Sequence, residues 1–304
     1  AGGRAEPDSA RWFELAGLPG HHLRVTFRGA PAGSRGVTIG GRPASLRNGD
    51  WTAVVALPRR NGLIHLPAAG RDGSGRPWRR SCTAILRDDP SSAARGIGDG
   101  TIAWRIPRDG QFETSPVLFR WTATPGAAPR ELAVRSHVLE LLPASLRLRK
   151  PMRLEWSPAA AEGVGLFGDD GEGWSWIPSP LDSTVGRRVG ETRHFARFAL
   201  FADTIAPRLT LRPAPRRVPK GPPKGPYDRW ALEARVVEEG SGVDARSSRY
   251  EVDGRRMPTE WDSEEGILRW RPPRRPHAGS HRYQVVVRDR AGNERRASGT
   301  FAVK

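Results

Sequence analysis

Apolar residues in this chain recur at every second position, in short runs that stop at Gly, Pro, Asn or Asp. Leu23-Arg-Val-Thr-Phe27 places Leu, Val and Phe on one face. Met152-Arg-Leu-Glu-Trp156 and Tyr283-Gln-Val-Val-Val287 alternate in the same way, and Trp230, Leu232, Ala234 and Val236 share a face in the run from Trp230 to Val236. A period of two is the mark of a strand with one buried face, because successive side chains of an extended chain point to opposite sides. No amphipathic helix of more than a few turns stands out. Turn signals come roughly every ten residues, the spacing of a β-sandwich. They include Pro31–Gly36, Gly40–Pro43, a hairpin at Arg60-Asn-Gly62, and Asp72-Gly-Ser-Gly75. The chain is therefore expected to be all-β, an array of three β-sandwich units.

The first unit covers residues 1–88, an Ig-like sandwich behind a disordered N-terminal tail, with Val25, Phe27, Val55 and Leu57 in its core. A polar stretch from Asp88 to Gly100 separates it from a middle sandwich, residues 89–203. The third unit, residues 204–304, is expected to be a bacterial Ig-like domain that opens on Arg208-Leu-Thr-Leu-Arg212 and an exposed polyproline-like loop, Pro213 to Pro226. It carries the strongest motif, Asp289-Arg-Ala-Gly-Asn293, between an alternating run and a last strand. Gly292 and Asn293 can supply the positive φ of a tight hairpin turn, and Asp289 can cap its backbone. Gly240, Gly242 and Asp244 mark a turn upstream, and Asp253-Gly254 marks a hairpin.

Composition sharpens this picture. The chain has 304 residues with 35 Gly and 28 Pro, which suits a turn-rich β protein. Its net charge is +17. That invites a polyanion reading. Yet Lys occurs only at Lys150, Lys220, Lys224 and Lys304, and the other basic residues are Arg scattered over the whole chain, as a GC-rich coding sequence tends to produce. The expectation is weak, salt-sensitive attraction to anionic polymers and no specific nucleic acid partner. One cysteine, Cys82, rules out an internal disulfide and reads as a buried thiol on the face of Trp78, Ala84 and Leu86. No apolar stretch reaches the roughly 18 residues of a transmembrane helix, and Ala1 to Ala10, small, polar and charged, is not expected to act as a signal peptide.

Candidate chemistry is sparse. Among the histidines, only His277 and His281 have a spacing seen in zinc sites, but they lie in a Pro/Gly loop without an obvious third ligand. No Gly-x-Ser-x-Gly elbow or Walker loop occurs. Asp169-Asp-Gly-Glu-Gly-Trp174 and Glu238-Glu-Gly-Ser-Gly-Val-Asp244 are acidic, Gly-rich loops of the sort that can hold calcium, without EF-hand spacing, and hairpin-turn chemistry accounts for both. Trp174 and Trp176 fall on one face of one strand, either as core or as a sugar-stacking platform. No catalytic residue, metal ligand or cofactor is assigned.

Val164-Gly-Leu-Phe167 with Gly173-Trp-Ser-Trp-Ile-Pro-Ser179, then Phe195-Ala-Arg-Phe-Ala-Leu-Phe-Ala-Asp-Thr-Ile-Ala-Pro-Arg208, Glu239-Gly-Ser-Gly-Val-Asp244 and Asp289-Arg-Ala-Gly-Asn293 follow an ordered series. The series resembles the non-catalytic C-terminal region of lysostaphin-like, LytM-type zinc peptidoglycan endopeptidases, over roughly residues 135–304. The middle unit also resembles a ZU-type sandwich. That peptidase family holds zinc with His-x-x-x-Asp and His-x-His motifs, and this chain has neither. The resemblance implies an extracytoplasmic accessory or scaffold region of a peptidoglycan hydrolase. Such a region spaces or orients a covalently linked upstream catalytic domain on peptidoglycan or another envelope polymer. Two alternatives stay open: a carbohydrate-binding module using Trp174 and Trp176, and an Arg-rich polyanion-binding surface.

Overall fold

Alternation becomes sheet pairing wherever the apolar face finds an opposing layer. The computed structural model describes residues 12–18, 21–87, 94–95, 102–112, 117–122, 128–142, 146–157, 163–212, 231–274 and 276–303. Among them the regular structure is strand, paired antiparallel, with no α-helix. The N-terminal tail, the polyproline-like loop and Trp230 lie outside the described residues.

Packing divides the chain into two compact units. One is built from residues 1–128, 134–161 and 166–201, the other from 129–133, 162–165 and 202–304. In the first unit, Phe13–Leu18, His22–Phe27, Asp50–Ala56 and Ser45–Arg47 form one sheet. Its inward residues Leu23, Val25, Phe27, Val55 and Leu57 are all buried, as alternation requires. They pack on Leu66, Ala68, Cys82, Ala84 and Leu86 of a second, larger sheet. That sheet runs through the strands Arg35–Ile39, Gly62–Arg71 and Pro77–Arg87 and continues past residue 88. Pro77–Arg87 pairs with Val117–Thr122, which pairs with Val138–Leu142. Leu118 and Leu142 join the same core as Phe27, so packing connects the two sides of the expected boundary at 88. A further sheet holds Ile102–Arg105, Arg147–Trp156 and Arg187–His194. Met152, Leu154 and Trp156 point inward as expected.

Turn chemistry accounts for most connections. Gly40 and Gly41 both have positive φ between Ile39 and Arg42, and a Cβ on Gly40 would lie 2.9 Å from a Val55 methyl. Asp72 accepts hydrogen bonds from the Ser74 and Arg76 amides and closes the hairpin between Gly62–Arg71 and Pro77–Arg87. The expected hairpin at Arg60-Asn-Gly62 is corrected. Asp50–Ala56 and Gly62–Arg71 belong to different sheets, so this segment crosses between layers. Leu57 is buried and its amide donates to the His21 carbonyl, which extends the pairing with His22–Phe27 to the end of the first sheet, and the chain crosses to the other sheet only after it.

Cys82 is buried, and burial pushes its thiol pKa up. Beside it, buried Arg120 forms a cross-strand ion pair with half-buried Glu140.

The second unit faces one four-stranded sheet, Arg208–Leu211, Leu232–Val237, Ile267–Trp270 and Glu260–Asp262, with another, Arg255–Met257, Arg249–Val252, Gly279–Arg288 and Glu294–Val303. Leu232, Ala234, Val236, Tyr250, Tyr283, Val285 and Phe301 fill the space between them.

Candidate metal centre

Three carboxylates of the second unit, each at or just past a strand end, converge on one point. Asp203 is the last residue of the strand Arg197–Asp203. Glu238 directly follows Leu232–Val237, and Asp289 directly follows Gly279–Arg288. One oxygen from each lies within 4.8 Å of the other two. Asp203 and Asp289 are each only 1% exposed.

The local backbone explains how three acids come so close. Asp203 accepts from the Ile205 amide at 3.2 Å and the Ser241 amide at 2.8 Å. Glu238 Oε1 accepts from the Gly240 and Gly242 amides. Asp289 accepts from the Asn293 amide and side chain, each at 2.8 Å. The loops then bind each other. The Arg290 amide donates to the Gly242 carbonyl, the Ala291 amide to Ser241 Oγ, and the Asn293 side chain to the Asp203 carbonyl. Gly240 is required by contact, since a Cβ there would sit 2.4 Å from Asp203 Oδ2. Gly242 and Gly292 are required by φ values of 83° and 101°, where an L side chain is strained.

The electrostatics are unbalanced. Among the described residues no basic side chain forms an ion pair with any of the three. Glu238 Oε2 is sealed from solvent and accepts no hydrogen bond. Burial, reinforced by the charges of Asp203 and Asp289, pushes the Glu238 carboxyl up to about 7. Burial and the charge of Asp203 also raise Asp289 above the usual carboxylate range. A buried carboxylate without a counter-charge takes up a proton or a cation. Oxygens within this span can converge on one ion at the ~2.3–2.6 Å of a calcium ligand, and an all-oxygen donor set suits a hard cation.

The other sequence-derived candidates fall elsewhere. Gly240, Gly242, Gly292, Asp289 and Asn293 belong to the acidic centre, and the Asp289–Asn293 segment is the expected turn between Gly279–Arg288 and Glu294–Val303. Asp244 accepts from the Arg246 amide and the Ser247 hydroxyl. Asp253 and Gly254 form the hairpin turn between Arg249–Val252 and Arg255–Met257, with φ of 47° and 76°. Asp253 also binds His281 Nδ1 at 2.7 Å, while His281 Nε2 contacts the His277 carbonyl. Both ring nitrogens of His281 are thus engaged, and the Asp253 hydrogen bond raises its pKa. Trp174 is only 7% exposed, its ring against Phe201 and under the Arg197 guanidinium, so it has no free face for a sugar. Trp176 is half-buried against Phe167.

Sequence reading found the Glu238–Asp244 loop and the Asp289 turn separately and missed that they meet at Asp203. The available signal was weak: each acid stands where an alternating run ends. No protein-family model matches this chain and no curated protein is significantly similar to it, so any functional reading rests on this geometry.

Proposed function

We propose that the chain is a non-catalytic β-sandwich scaffold that works outside the cytoplasm. Its C-terminal unit is tied by calcium at Asp203, Glu238 and Asp289, and the chain spaces or orients a linked partner on an envelope polymer. The observation that carries this reading is the convergence of three carboxylates, two of them buried, with no basic partner among the described residues. Glu238 and Asp289 order their own loops by accepting local amides, Asp203 accepts the Ser241 amide of the neighbouring loop, and backbone bonds join the loops around them, as a structural clamp requires. Calcium sites of extracellular modules have dissociation constants of roughly 10⁻⁴–10⁻³ M, so such a clamp is loaded where calcium is abundant. Magnesium, which demands near-ideal octahedral geometry and dehydrates reluctantly, suits the centre less well.

The test is thermal unfolding of the full chain in EDTA, in calcium and in magnesium. Calcium at about a hundredfold its dissociation constant should stabilise the C-terminal unit by about 2.7 kcal/mol. Magnesium at the same concentration should do little. An unfolding curve indifferent to calcium rejects the clamp. Clearing of purified cell walls by this chain alone, abolished by a chelator, rejects the non-catalytic reading.

A further inference from the structure

One titratable contact of the second unit is not used by the acidic centre. His281 lies in the strand Gly279–Arg288 opposite Phe301 of Glu294–Val303. Its ring is held on three sides. Nδ1 lies 2.7 Å from Asp253 Oδ2, and Nε2 lies 2.8 Å from the His277 carbonyl oxygen. The ring stacks on Phe301, with centroids 4.9 Å and planes 20° apart. Both polar partners can only accept. A carbonyl oxygen has no proton to give, and neither has an ionised carboxylate. Asp253 is ionised, since the His281 hydrogen bond, together with the Arg282 amide, holds its carboxyl below the usual carboxylate range. It is also fixed in place: its amide donates to the Arg282 carbonyl and its Oδ1 accepts from the Arg282 amide, each at 2.9 Å. A neutral imidazole has one N–H and one lone pair, so it satisfies one of these acceptors and points its lone pair at the other. The imidazolium has two N–H groups and satisfies both. The electron-rich face of Phe301 favours the same charged form.

The contact joins two connections of the sandwich. Asp253 belongs to the turn between Arg249–Val252 and Arg255–Met257, and His277 to the segment that leads into Gly279–Arg288. His277 and Ala278 are exposed. Gly279 behind them has a φ of 134° and open space where a Cβ would stand, so it can serve as a pivot. Asp253 is the charged group that the surrounding elements set against the ring. Glu294–Val303 brings uncharged Thr300, Phe301 and Ala302 beside it, and the Arg282 side chain belongs to the opposite face of its own strand. In the facing sheet Trp270 meets Phe301, and the next residue, Arg271, pairs with Glu260. Arg255 follows the Asp253 turn and is exposed to solvent, which screens it.

We infer that His281 is a proton-operated latch of the second unit: as an imidazolium it ties the segment entering Gly279–Arg288 to the Asp253 turn, and when it loses its proton that segment is released to move about Gly279. The Asp253 hydrogen bond, and after it the His277 carbonyl, raise the His281 pKa above its ordinary value of 6.5. A group whose pKa is raised on folding contributes stability that is complete below the unfolded value and is lost as pH rises through the folded one. The latch is therefore shut at mildly acidic pH and opens toward alkaline pH.

The experiment is a pH titration of the full chain in EDTA, followed by nuclear magnetic resonance of the imidazole nitrogens and by amide hydrogen exchange. His281 should carry a proton on both ring nitrogens at pH 6.5 and should titrate above that value. Exchange at Ala278 and Gly279, corrected for the intrinsic pH dependence of amide exchange, should rise over the same range. Asp253→Asn, which tolerates the left-handed φ of 47° at this turn, should lower the midpoint. His281→Phe, which keeps a ring on Phe301 but has no nitrogen, should exchange fast at every pH without a step. Saturating calcium should leave the midpoint in place, so the latch and the calcium clamp stand or fall separately. A wild-type His281 that titrates at or below 6.5, or a midpoint that does not move in Asp253→Asn, overturns the latch. So does exchange at Ala278 and Gly279 that ignores the titration.

Discussion

Asp169 and Asp289 stand in closely similar places. Asp169 ends the strand Val164–Asp169 and accepts from the Gly171 and Gly173 amides. Asp289 follows Gly279–Arg288 and accepts from the Asn293 amide. Their exposures are 4% and 1%. The difference lies in what each carboxylate meets. Asp169 meets the guanidinium of Arg197, which also covers Trp174, and its charge is balanced within the chain. Asp289 meets two more carboxylates. A buried charge needs a partner, and the uncompensated state is the costly one. One turn carries its counter-ion as a side chain. The other is left dependent on a proton or an ion from solution. Similar loop chemistry thus yields a fixed element in one unit and a conditional one in the other.

The sharpest way to break this comparison is to remove the internal counter-ion. Arg197→Met strands Asp169 as a buried unpaired charge and should destabilise the first unit by about 3 kcal/mol. That is the lower end for a broken buried pair, since Arg197 keeps some solvent contact. Urea unfolding with and without calcium checks it. The loss should be the same in both, because among the described residues only Asp203, Glu238 and Asp289 bring three carboxylates together, and the Asp169 turn does not. Rescue by calcium would show that the two turns are not distinct.

Asp289→Asn should behave conditionally. In EDTA the variant should lie within about 1 kcal/mol of the wild type, since the amide oxygen can still accept the Asn293 bond while one repelling charge is gone. In saturating calcium it should fall behind by about 2–3 kcal/mol, the ligand-linked stabilisation it can no longer gain. The paired unfolding curves decide between this and a purely structural Asp289, for which both gaps would be equal.

A smaller effect comes from pH. Burial and the neighbouring charges push the Glu238 carboxyl up to about 7 in the folded chain, against an ordinary glutamate value of 4.5. Between those values the folded state holds a proton that the unfolded state has released. The Glu238 contribution to stability in EDTA therefore falls as pH rises from about 4.5 to 7 and levels off above, by proton linkage. Glu238→Gln should flatten that slope, and excess calcium should oppose it by favouring the ionised carboxylates at the upper end. A wild-type slope unchanged in Glu238→Gln would place the titrating group elsewhere.

Much of the framework was readable from local pattern. Leu23, Val25 and Phe27 are buried because a period of two leaves no other choice once a second layer exists. The Asp289–Asn293 turn is where Asp, Gly and Asn together allow it, and Gly292 has the positive φ that such a turn needs. Asn61-Gly62 was misread because the dipeptide permits a tight turn without compelling one. Leu57 stays paired with His21 in the first sheet, and the next strand, Gly62–Arg71, pairs in the other sheet instead. Trp174 followed its strand parity onto one face, but parity does not say whether that face is solvent or core. Phe201 and Arg197 settle that it is core.

The amino-acid sequence by itself determined the strand period, the turn positions and the positive net charge, because each depends on residues adjacent in the chain or on composition alone. Tertiary structure decided which buried acids have a counter-ion and which histidine meets two acceptors. Asp203, Glu238 and Asp289 are far apart in sequence and meet because the loops that follow their strands are hydrogen-bonded to one another. His281 meets Asp253 because a hairpin turn is hydrogen-bonded to the neighbouring strand. Electrostatic energy depends on distance through space and on burial. Neither quantity exists until the sheets have paired.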